Sequence, residues 1–287
     1  MTKIADLLEA GRTVSFEFFP PKSDAEAATL TSTLRDLEPL DPSFVSVTYR
    51  GGAESRQRTY DLVAMMQAET TLTPMAHLIC VAHSRAELIE ILKQYRSAGV
   101  ENLMALGGDP PTDPDAAPGE LTYASELVAL AREVGGFSIG VAAHPAGHPR
   151  SSSIDEDRDR LAAKLEAADF AVTQFFFSLE EYTGLVDDLV RRGTTKPVLP
   201  GIMPVTSLSS VPRMADMGAP VPAWTVERLE AADARGGADA VRAEGIVLAT
   251  ELCAGLLEAG APGLHFYTLN RSLATREIAQ SLGLAQG

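Results

Sequence analysis

Cysteine and basic residues are scarce in this chain, and each shortage excludes a class of protein. Only two cysteines occur in 287 residues. Both Cys80 and Cys253 lie in apolar segments, so we expect buried thiols rather than a disulfide or a metal site. Lysine and arginine number 24 against 39 acidic residues, which gives a formal charge of −15 and argues against nucleic acid or an anionic membrane as a partner. An anionic ligand would need a local basic patch on an acidic surface.

Long hydrophobic runs and targeting signals are also missing. No apolar run reaches the length of a membrane span, and the N-terminus has an early acidic residue and no signal-peptide core. Together with reduced cysteines, these features predict a cytoplasmic protein. Neither a linker nor a low-complexity segment interrupts the chain, so we expect one domain over residues 1–287. No Gly-x-Gly-x-x-Gly motif follows a predicted strand, which leaves a Rossmann-type cofactor site unsupported.

What the chain does contain is a repeat of short apolar runs, which begin about thirty residues apart until the seventh. Eight runs predict strands at Thr13–Phe19, Phe44–Thr48, Pro74–Cys80, Asn102–Leu106, Phe137–Ala142, Phe170–Phe177, Pro197–Ile202 and Gly263–Tyr267. Amphipathic stretches between them predict helices at Ala25–Leu37, Ser55–Gln67, Arg85–Ser97, Tyr123–Val134, Asp155–Ala168 and Leu179–Arg191. Parallel crossovers of this kind, eight in number, favour an α/β fold, a closed (β/α)8 TIM barrel.

Two segments depart from the repeat. Thr2–Ala10 predicts a helix that precedes the first strand and covers the bottom of the barrel. Thr206–Ala261 predicts a helical insertion between the seventh and eighth strands, with a loop at Pro220–Trp224. The proline-rich segment Pro110–Gly119 predicts a surface loop after the fourth strand.

Polar residues stand at or near the end of most predicted strands. They are Glu17, Thr48, His77, Asp109, His144, Gln174 and Tyr267. Active sites of parallel barrels lie at the C-terminal ends of the strands, so we expect these side chains to converge on one site. The set contains no cysteine and no strand lysine for a Schiff base. Prolines after His144 and His148 exclude a regular helix that could present both rings to zinc, so no metal is predicted.

Glu17 lies inside a short aromatic strand that ends at Pro20 and Pro21, because proline lacks the N–H that a strand ladder needs. A buried carboxylate is costly unless it is paired, protonated or facing a cavity. Two interpretations remain open from the residues alone. Either a neighbouring arginine or lysine neutralises Glu17, or Glu17 is a functional acid.

Six motifs, in chain order, resemble the methylenetetrahydrofolate reductases. They are Ser-Phe-Glu-Phe-Phe-Pro-Pro-Lys (15–22), Phe-Val-Ser-Val-Thr-Tyr (44–49), Ala-Leu-Gly-Gly-Asp (105–109), Thr-Gln-Phe-Phe-Phe (173–177), Pro-Gly-Ile-Met-Pro-Val (200–205) and His-Phe-Tyr-Thr-Leu-Asn-Arg (265–271). The resemblance implies reduction of 5,10-methylenetetrahydrofolate to 5-methyltetrahydrofolate by a hydride from NADH, with NADPH as the alternative. The length resembles that of the catalytic barrel alone, without the regulatory domain of animal relatives.

The resemblance also implies roles for individual residues. Glu17 matches the general acid that protonates N10 and opens the five-membered ring to a 5-iminium cation, and an apolar interior favours the protonated acid. Asp109 and Gln174 match residues that hydrogen-bond the pterin, and Asp109 could also steady the cation. Thr48, Tyr267 and Arg271 complete the implied substrate-binding set. A helix N-cap for Asp109 and a core amide for Gln174 are the alternatives.

The family generally carries FAD as a hydride relay, and here the chain both matches and departs. Flavin-lining positions are matched by Thr48, His77, Gly108, Tyr123, Ala124, His148, Asp157 and Lys164. Gly107 replaces an arginine that helps to hold the flavin, and His144 replaces a tyrosine. Each loss could cost on the order of 1–3 kcal/mol of binding free energy. Either FAD binds with compensation from Arg160, or FAD is not bound and NADH in the vacated cleft passes hydride directly; we favour the second.

Three further expectations complete the interpretation. Arg50, Arg56, Arg58, Lys164 and Arg271 form a basic set suited to the glutamate tail of folate or to cofactor phosphates, with ordinary surface cations as the alternative. A pterin methyltransferase-like barrel would need a cobalamin or thiol acceptor, and a noncatalytic folate-binding barrel would have no need of Glu17. Exposed faces of the insertion helices are compatible with a homo-oligomer.

Overall fold

The computed structural model describes residues 2–49, 51–109 and 119–284. Nine strands form one sheet, in which every neighbouring pair is parallel and the order is β7-β6-β5-β4-β3-β2-β1-β9-β8. The strands are β1 (Thr13–Phe18), β2 (Phe44–Val47), β3 (Pro74–Ile79), β4 (Asn102–Leu106), β5 (Ser138–Ala143), β6 (Phe170–Thr173), β7 (Val198–Leu199), β8 (Gly201–Ile202) and β9 (Gly263–Tyr267). Arg50 and residues 110–118 of the predicted surface loop lie outside the described residues.

The seventh predicted strand is divided in two at Pro200. Val198 and Leu199 in β7 pair with β6, whereas Gly201 and Ile202 in β8 pair with β9. Pro200 has no N–H to continue the ladder, although its carbonyl accepts a hydrogen bond from the His265 N–H at 3.0 Å. Because only this proline separates the two pieces, the ring of strands closes through it. The predicted TIM barrel is therefore confirmed, with nine short strands in place of eight.

Helices surround the barrel where the amphipathic stretches predict them, with ends shifted by no more than two residues. The repeat helices are α2 (Asp24–Leu37), α3 (Ala53–Glu69), α4 (Arg85–Ser97), α5 (Ala124–Val134), α6 (Ile154–Ala167) and α7 (Leu179–Arg191). Four of them start at a serine whose hydroxyl accepts the N–H of a glutamate three residues later, namely Ser23, Ser84, Ser153 and Ser178. This local signal fixes where each helix begins.

The first helix, α1 (Ile4–Ala10), closes the N-terminal end of the barrel as predicted. Ile4 and Leu8 pack with inward-facing strand residues such as Met75. Two inward polar groups receive the start of α1: the Asn102 Oδ1 accepts the Ile4 N–H at 2.8 Å, and the Ser138 Oγ accepts the Ala5 N–H at 3.1 Å. Because apolar packing and these hydrogen bonds cover the N-terminal end of the barrel with α1, a site inside the barrel can open only at the other end.

The insertion before β9 contains α8 (Val211–Asp216) and α9 (Ala223–Glu258), and α9 is interrupted by non-helical backbone at Gly236 and Gly237. The predicted loop Pro220–Trp224 is wrong at its end, because Ala223 and Trp224 already belong to α9. Pro222 directly precedes the helix with φ −60°, a value that proline fixes and a helix start tolerates. A last helix, α10 (Leu273–Ser281), follows β9 and was not predicted.

Candidate active site

Glu17 lies at the centre of a buried polar cluster inside the barrel. Pleating points alternate strand residues to the same face, and the register sets Glu17 of β1 beside Ser46 of β2 and Tyr267 of β9. The Glu17 Oε2 lies 3.4 Å from His77 Nε2, 3.6 Å from His265 Nε2 and 3.5 Å from Ser46 Oγ. Only 8% of Glu17 is exposed. No lysine or arginine among the described residues pairs with it, so the interpretation of Glu17 as half of a buried ion pair with a basic side chain finds no support within that part of the chain.

His265 is fully enclosed, and its two ring nitrogens contact different groups. The Ser15 hydroxyl donates to the Leu264 carbonyl at 3.3 Å and lies 2.8 Å from His265 Nδ1, so it can accept a hydrogen bond from the tautomer that carries Nδ1–H. The Nε2 of the same ring faces Glu17 and Ser46, at 3.6 and 3.5 Å. His265, Ser15 and Ser46 were not among the predicted site residues. Their period-two spacing from Tyr267, Glu17 and Thr48 is the signal that could have found them.

His77 faces Glu17 from β3. Burial lowers the pKa of His77 below its ordinary value, and although the Glu17 charge opposes this shift, the nearby His265 adds to it. The ring is therefore neutral near neutral pH. Its Nε2 has no hydrogen-bond partner among the described residues. A neutral imidazole supplies no cation that would hold Glu17 as a carboxylate.

Tyr267 borders the cluster, and its hydroxyl donates to the Thr173 carbonyl at 2.7 Å. Burial, with a contribution from the Glu17 charge, raises the pKa of Tyr267 well above its ordinary value, so the group remains a phenol. The ring lies against Gly201, where an added Cβ would fall 2.5 Å from Tyr267 Cε2 and 2.3 Å from the Thr173 oxygen. Only glycine fits there.

The two predicted pterin ligands lie at the ends of β4 and β6. Asp109 is exposed and follows Gly108, whose φ of +88° favours glycine. Gln174 is partly buried; its amide nitrogen donates to the Met217 carbonyl at 3.1 Å and its oxygen accepts the Phe175 N–H at 3.0 Å. These bonds anchor Gln174 to the segment after α8, which the strand-end argument did not predict.

Predicted cofactor residues form a second cluster on the β5–α6 side. The His144 and His148 rings meet edge to face with centroids 4.6 Å apart, and the Lys164 Nζ donates to the Ala142 carbonyl at 3.2 Å. Burial, assisted by His148, lowers the pKa of His144 to about 4. Burial also lowers the pKa of Lys164, against the attraction of Asp157. We therefore expect both imidazoles to be neutral, since burial lowers the pKa of His148 as well.

Asp157 does not face this cluster alone, because it pairs with buried Arg158 at 2.8 Å. Arg158 also donates to the carbonyls of His144 and Pro145, at 2.9 and 2.5 Å, and so fixes the β5–α6 turn. The sequence did not indicate a role for Arg158, since an adjacent Asp and Arg on a predicted helix are typical of charged surface residues. Its structural role positions His144 and Asp157 together.

The region beside Gly107 contains a different arginine from the predicted one. An added Cβ on Gly107 would lie 3.7 to 3.8 Å from the Thr122 oxygen, the Ala124 nitrogen and the Arg150 Nη2. Arg150 donates to the Gly108 carbonyl at 3.3 Å, whereas Arg160 pairs with Glu156 at 2.5 Å on the exposed surface of α6. Tyr123 is 61% exposed at the start of α5. Arg150, rather than Arg160, therefore places a guanidinium next to Gly107.

Thr48 and Arg271 line a separate cavity of about 400 Å³ beyond the end of β1. The Thr48 Oγ1 is buried and has no hydrogen-bond partner among the described residues.

Two kinds of feature are absent from the part of the chain that the structure describes. No group of three histidine, cysteine, aspartate or glutamate side chains could hold a metal ion there. No helix there is long and apolar enough to cross a membrane.

Comparisons with known proteins agree with this geometry. Residues 2–283 match the sequence profile described as Methylenetetrahydrofolate reductase. The chain is 36% identical over 276 residues to the 5,10-methylenetetrahydrofolate reductases of Escherichia coli strain K12 (96% of this chain, 92% of that protein) and of Pectobacterium carotovorum (94% and 90%). It is 34% identical to methylenetetrahydrofolate reductase 1 of Schizosaccharomyces pombe, of which it covers 46%, with 95% of this chain aligned.

Solved structures support the fold independently of sequence. A Clostridium thermocellum protein described as binding two copies of 5-methyl-5,6,7,8-tetrahydrofolic acid aligns with a TM-score of 0.64 at 13% identity, over 98% of this chain and 96% of that one. A 2,3-dimethylmalate lyase aligns with a TM-score of 0.54 at 13% identity, over 99% and 85%. Because the profile and the relatives extend over nearly all of the sequence, this chain belongs to the methylenetetrahydrofolate reductase family.

Proposed function

We propose that the chain reduces 5,10-methylenetetrahydrofolate to 5-methyltetrahydrofolate with a hydride from NADH, and that Glu17 is the general acid. One observation carries the assignment of Glu17: a buried carboxyl group at the reactive end of the barrel, bordered by His77, His265 and Ser46 and unpaired with any described lysine or arginine. Family membership supports the reaction.

The proposed chemistry uses Glu17 once in each turnover. Its carboxyl proton moves to N10, the bond between N10 and the methylene carbon breaks, and the N5 iminium cation forms. Hydride from C4 of the dihydronicotinamide then adds to the iminium carbon, giving the 5-methyl product and NAD⁺. The Glu17 carboxylate regains a proton from solvent, so the reaction consumes NADH and one proton. General acid catalysis of this kind contributes roughly 10²- to 10⁴-fold to a rate.

Asp109 and Gln174 are proposed to bind the pterin. Asp109 is exposed at the mouth and offers an acceptor for the pterin amino and ring N–H groups. Gln174 offers both a donor and an acceptor, but must exchange its bond to the Met217 carbonyl for the ligand. Binding of substrate is then coupled to the position of the segment after α8.

Enzymes of this family use a nicotinamide cofactor and usually FAD. The residues of this chain fit an FAD diphosphate poorly. Gly107 carries no side chain that could contact a phosphate, and Arg160 already forms an ion pair with Glu156. The Lys164 Nζ donates a hydrogen bond to the Ala142 carbonyl, and burial lowers the pKa of this lysine. Arg150 is the guanidinium nearest to Gly107. We therefore propose direct hydride transfer from NADH, without a flavin relay.

The test is an absorption spectrum of the purified protein followed by NADH oxidation with methylenetetrahydrofolate, for wild type and Glu17→Gln. We expect no flavin bands, even after incubation with FAD and desalting, and turnover in wild type. Glu17→Gln keeps the shape of the side chain but has no acidic proton, so kcat falls by roughly 10²-fold or more while folate binding, measured by calorimetry, is retained.

Glu9→Gln is the matched control, because Glu9 is an exposed glutamate on α1 at the opposite end of the barrel. It should leave kcat unchanged. Retained flavin bands would replace direct transfer by an FAD relay. Full activity of Glu17→Gln would show that Glu17 is not the acid, and folate binding without turnover in wild type would favour the noncatalytic folate-binding barrel.

A further inference from the structure

His77 contains a buried ring nitrogen that has no partner in the resting protein. Its Nε2 is enclosed and makes no hydrogen bond to any described residue. Buried polar groups are almost always hydrogen-bonded, and one that is not lowers the stability of the fold. The reason for such a nitrogen therefore lies outside stability, in the group that it faces.

This nitrogen faces the carboxyl group of Glu17. The distance from His77 Nε2 to Glu17 Oε2 is 3.4 Å, whereas an N–H···O hydrogen bond normally measures about 2.7–3.2 Å. Only 9% of the His77 side chain and 10% of the Glu17 side chain are exposed, so water competes little for either group. A small movement of either side chain would complete a hydrogen bond that the resting protein does not make.

The two protonation states of Glu17 need different neighbours. A protonated carboxyl group needs an acceptor for its O–H, and His265 Nε2, 3.6 Å away, supplies one in the tautomer whose Nδ1–H donates to Ser15. Once the proton has moved to N10, the carboxylate can only accept. A negative charge that develops in a buried site is stabilised by a donor far more than it would be in water. His77 lies beside the same oxygen and can be that donor.

The charge of His77 suits a donor that leaves the resting acid its proton. Burial lowers the pKa of His77, the Glu17 charge opposes this shift, and His265 adds to it, so the ring is neutral near neutral pH. An imidazolium here would form an ion pair with a Glu17 carboxylate before substrate arrives, and the acid would then have no proton to give. A neutral imidazole has a single N–H. Placed on Nε2, that N–H makes its strongest hydrogen bond when Glu17 is ionised.

We propose that His77 stabilises the Glu17 carboxylate that forms during proton transfer, by donating an Nε2–H hydrogen bond that the resting protein lacks. This inference rests on the proposed function. As the Glu17 proton moves to N10, negative charge develops on Oε2 and the His77 Nε2–H comes within hydrogen-bond distance of it. No proton leaves His77. When Glu17 regains its proton from solvent, the hydrogen bond is lost again.

A hydrogen bond that exists only while Glu17 is charged contributes to rate rather than to binding. It lowers the barrier to ring opening and leaves the affinity for the folate ground state unchanged. His77 acts through Glu17 and is therefore a positioning residue. This role differs from the flavin contact that the family resemblance implies for His77.

The experiment compares two substitutions of His77. His77→Phe fills the space of the ring but has no donor, whereas the amide of His77→Gln can place an N–H close to the position of Nε2–H. We expect His77→Phe to lower kcat roughly 10- to 100-fold, and His77→Gln to stay within about fivefold of wild type. Calorimetry with 5-methyltetrahydrofolate should give the same affinity for both variants and wild type, which also shows that they fold.

Isotope effects on kcat separate this role from a structural one. NADH deuterated at C4 reports hydride transfer, and D₂O reports proton transfer. Without the donor, proton transfer slows relative to hydride transfer, so in His77→Phe the effect of deuterated NADH should fall and the solvent effect should rise. His77→Gln should keep the wild-type pattern.

His83→Phe is the matched control. His83 is also buried and lies between β3 and α4, but its Nε2 is 2.9 Å from the Tyr49 hydroxyl and does not face Glu17. The substitution removes a buried hydrogen bond and should lower stability, yet leave both isotope effects as in wild type. If the phenyl ring at position 77 prevents folding, His77→Met gives the same comparison with a flexible side chain that has no donor.

Wild-type kcat and isotope effects in His77→Phe would overturn the inference. Equal losses in His77→Phe and His77→Gln would overturn it as well, because the donor would then make no difference. Weaker NADH binding in His77→Phe with unchanged isotope effects would assign His77 to the cofactor instead. These three results leave the proposed function intact, whereas a wild type that oxidises no NADH with methylenetetrahydrofolate overturns the proposed function and this inference together.

Discussion

At the scale of single residues, Ser15 is the hydrogen-bond partner of His265 Nδ1. We predict that its hydroxyl accepts from Nδ1–H while it donates to the Leu264 carbonyl, an arrangement that selects the tautomer with the Nε2 lone pair facing Glu17. An acceptor at this place can receive a hydrogen bond from the protonated Glu17 carboxyl group that the proposed function requires. We therefore predict that Ser15 is a positioning residue, which acts through His265.

Ser15→Ala should remove this selection. The ring can then adopt the other tautomer and donate to Glu17, so the carboxyl group loses its hydrogen-bond acceptor and kcat falls by roughly tenfold or more. The kcat–pH profile, which reports the groups that ionise during turnover, should also change in shape. The buried Nδ1 also loses its partner, which lowers the free energy of unfolding by about 1–3 kcal/mol.

A matched serine separates catalysis from stability. Ser138 is equally buried at the other end of the barrel, where its hydroxyl accepts the Ala5 N–H. Ser138→Ala should lower the unfolding free energy, measured in urea, and leave the kcat–pH profile of the folded enzyme unchanged. An unaltered profile in Ser15→Ala would refute the positioning role.

Among secondary-structure elements, β8 closes the barrel and has no room for a larger residue. Gly201→Ala would bring a methyl group within 2.3 Å of the Thr173 oxygen and 2.5 Å of the Tyr267 ring. The strand or the ring must then move, and we expect a loss of unfolding free energy of roughly 1–3 kcal/mol. Urea denaturation measures it.

Gly184 in α7 provides the opposite expectation for the same substitution. It is exposed, helical and has no atom within 4 Å of an added Cβ. Gly184→Ala should therefore raise the unfolding free energy by about 0.5–1 kcal/mol. Equal changes in unfolding free energy for Gly201→Ala and Gly184→Ala would mean that the close contacts at Gly201 are relieved without loss of stability.

The approximate positions of most elements followed from periodicity, because apolar residues recur with different periods in strands and in helices. The sequence shows Pro200 within the seventh predicted strand. That this proline divides the strand between two partners depends on which strands lie on either side of it, and the sequence alone does not show this. Likewise, Ser15 and His265 are 250 residues apart, and only strand register brings them together. Arg150 and Arg158 lie in a loop and a helix whose paths a linear pattern does not give.

For the protein as a unit, buried neutral histidines predict loss of stability in acid. The pKa of His144 is lowered to about 4 by burial and by His148, whereas an unfolded histidine has a pKa near 6.5. Between these values the unfolded chain binds a proton that the folded chain does not. The contribution of neutral His144 to the free energy of unfolding is therefore fully present above pH ~6.5. It decreases by roughly 1–3 kcal/mol as the pH falls toward ~4.

Urea denaturation at about pH 7.5 and about pH 5 measures this loss. His144→Gln should narrow the difference between the two pH values, because glutamine does not titrate. The remaining difference reports other groups, including His77 and His148, whose pKa values are lowered in the same direction by burial. An identical pH dependence in His144→Gln would contradict the assignment to His144.

The predicted homo-oligomer stays a prediction, with Trp224 and Val247 exposed on α9 as its candidate surface.

The pairing of β1 with β9 has a consequence for synthesis of the protein. Thr13 pairs with Gly263 and Glu17 with Tyr267, so one edge of β1 has no partner until the roughly 250 residues from β1 to β9 have left the ribosome. Unpaired strand edges are sites of intermolecular association. During that interval β1, which contains Glu17, depends on β2 and the helices already made. His265 and Tyr267 join Glu17 only when β9 is in place, so under the proposed mechanism a nascent chain that stops before β9 lacks part of the site.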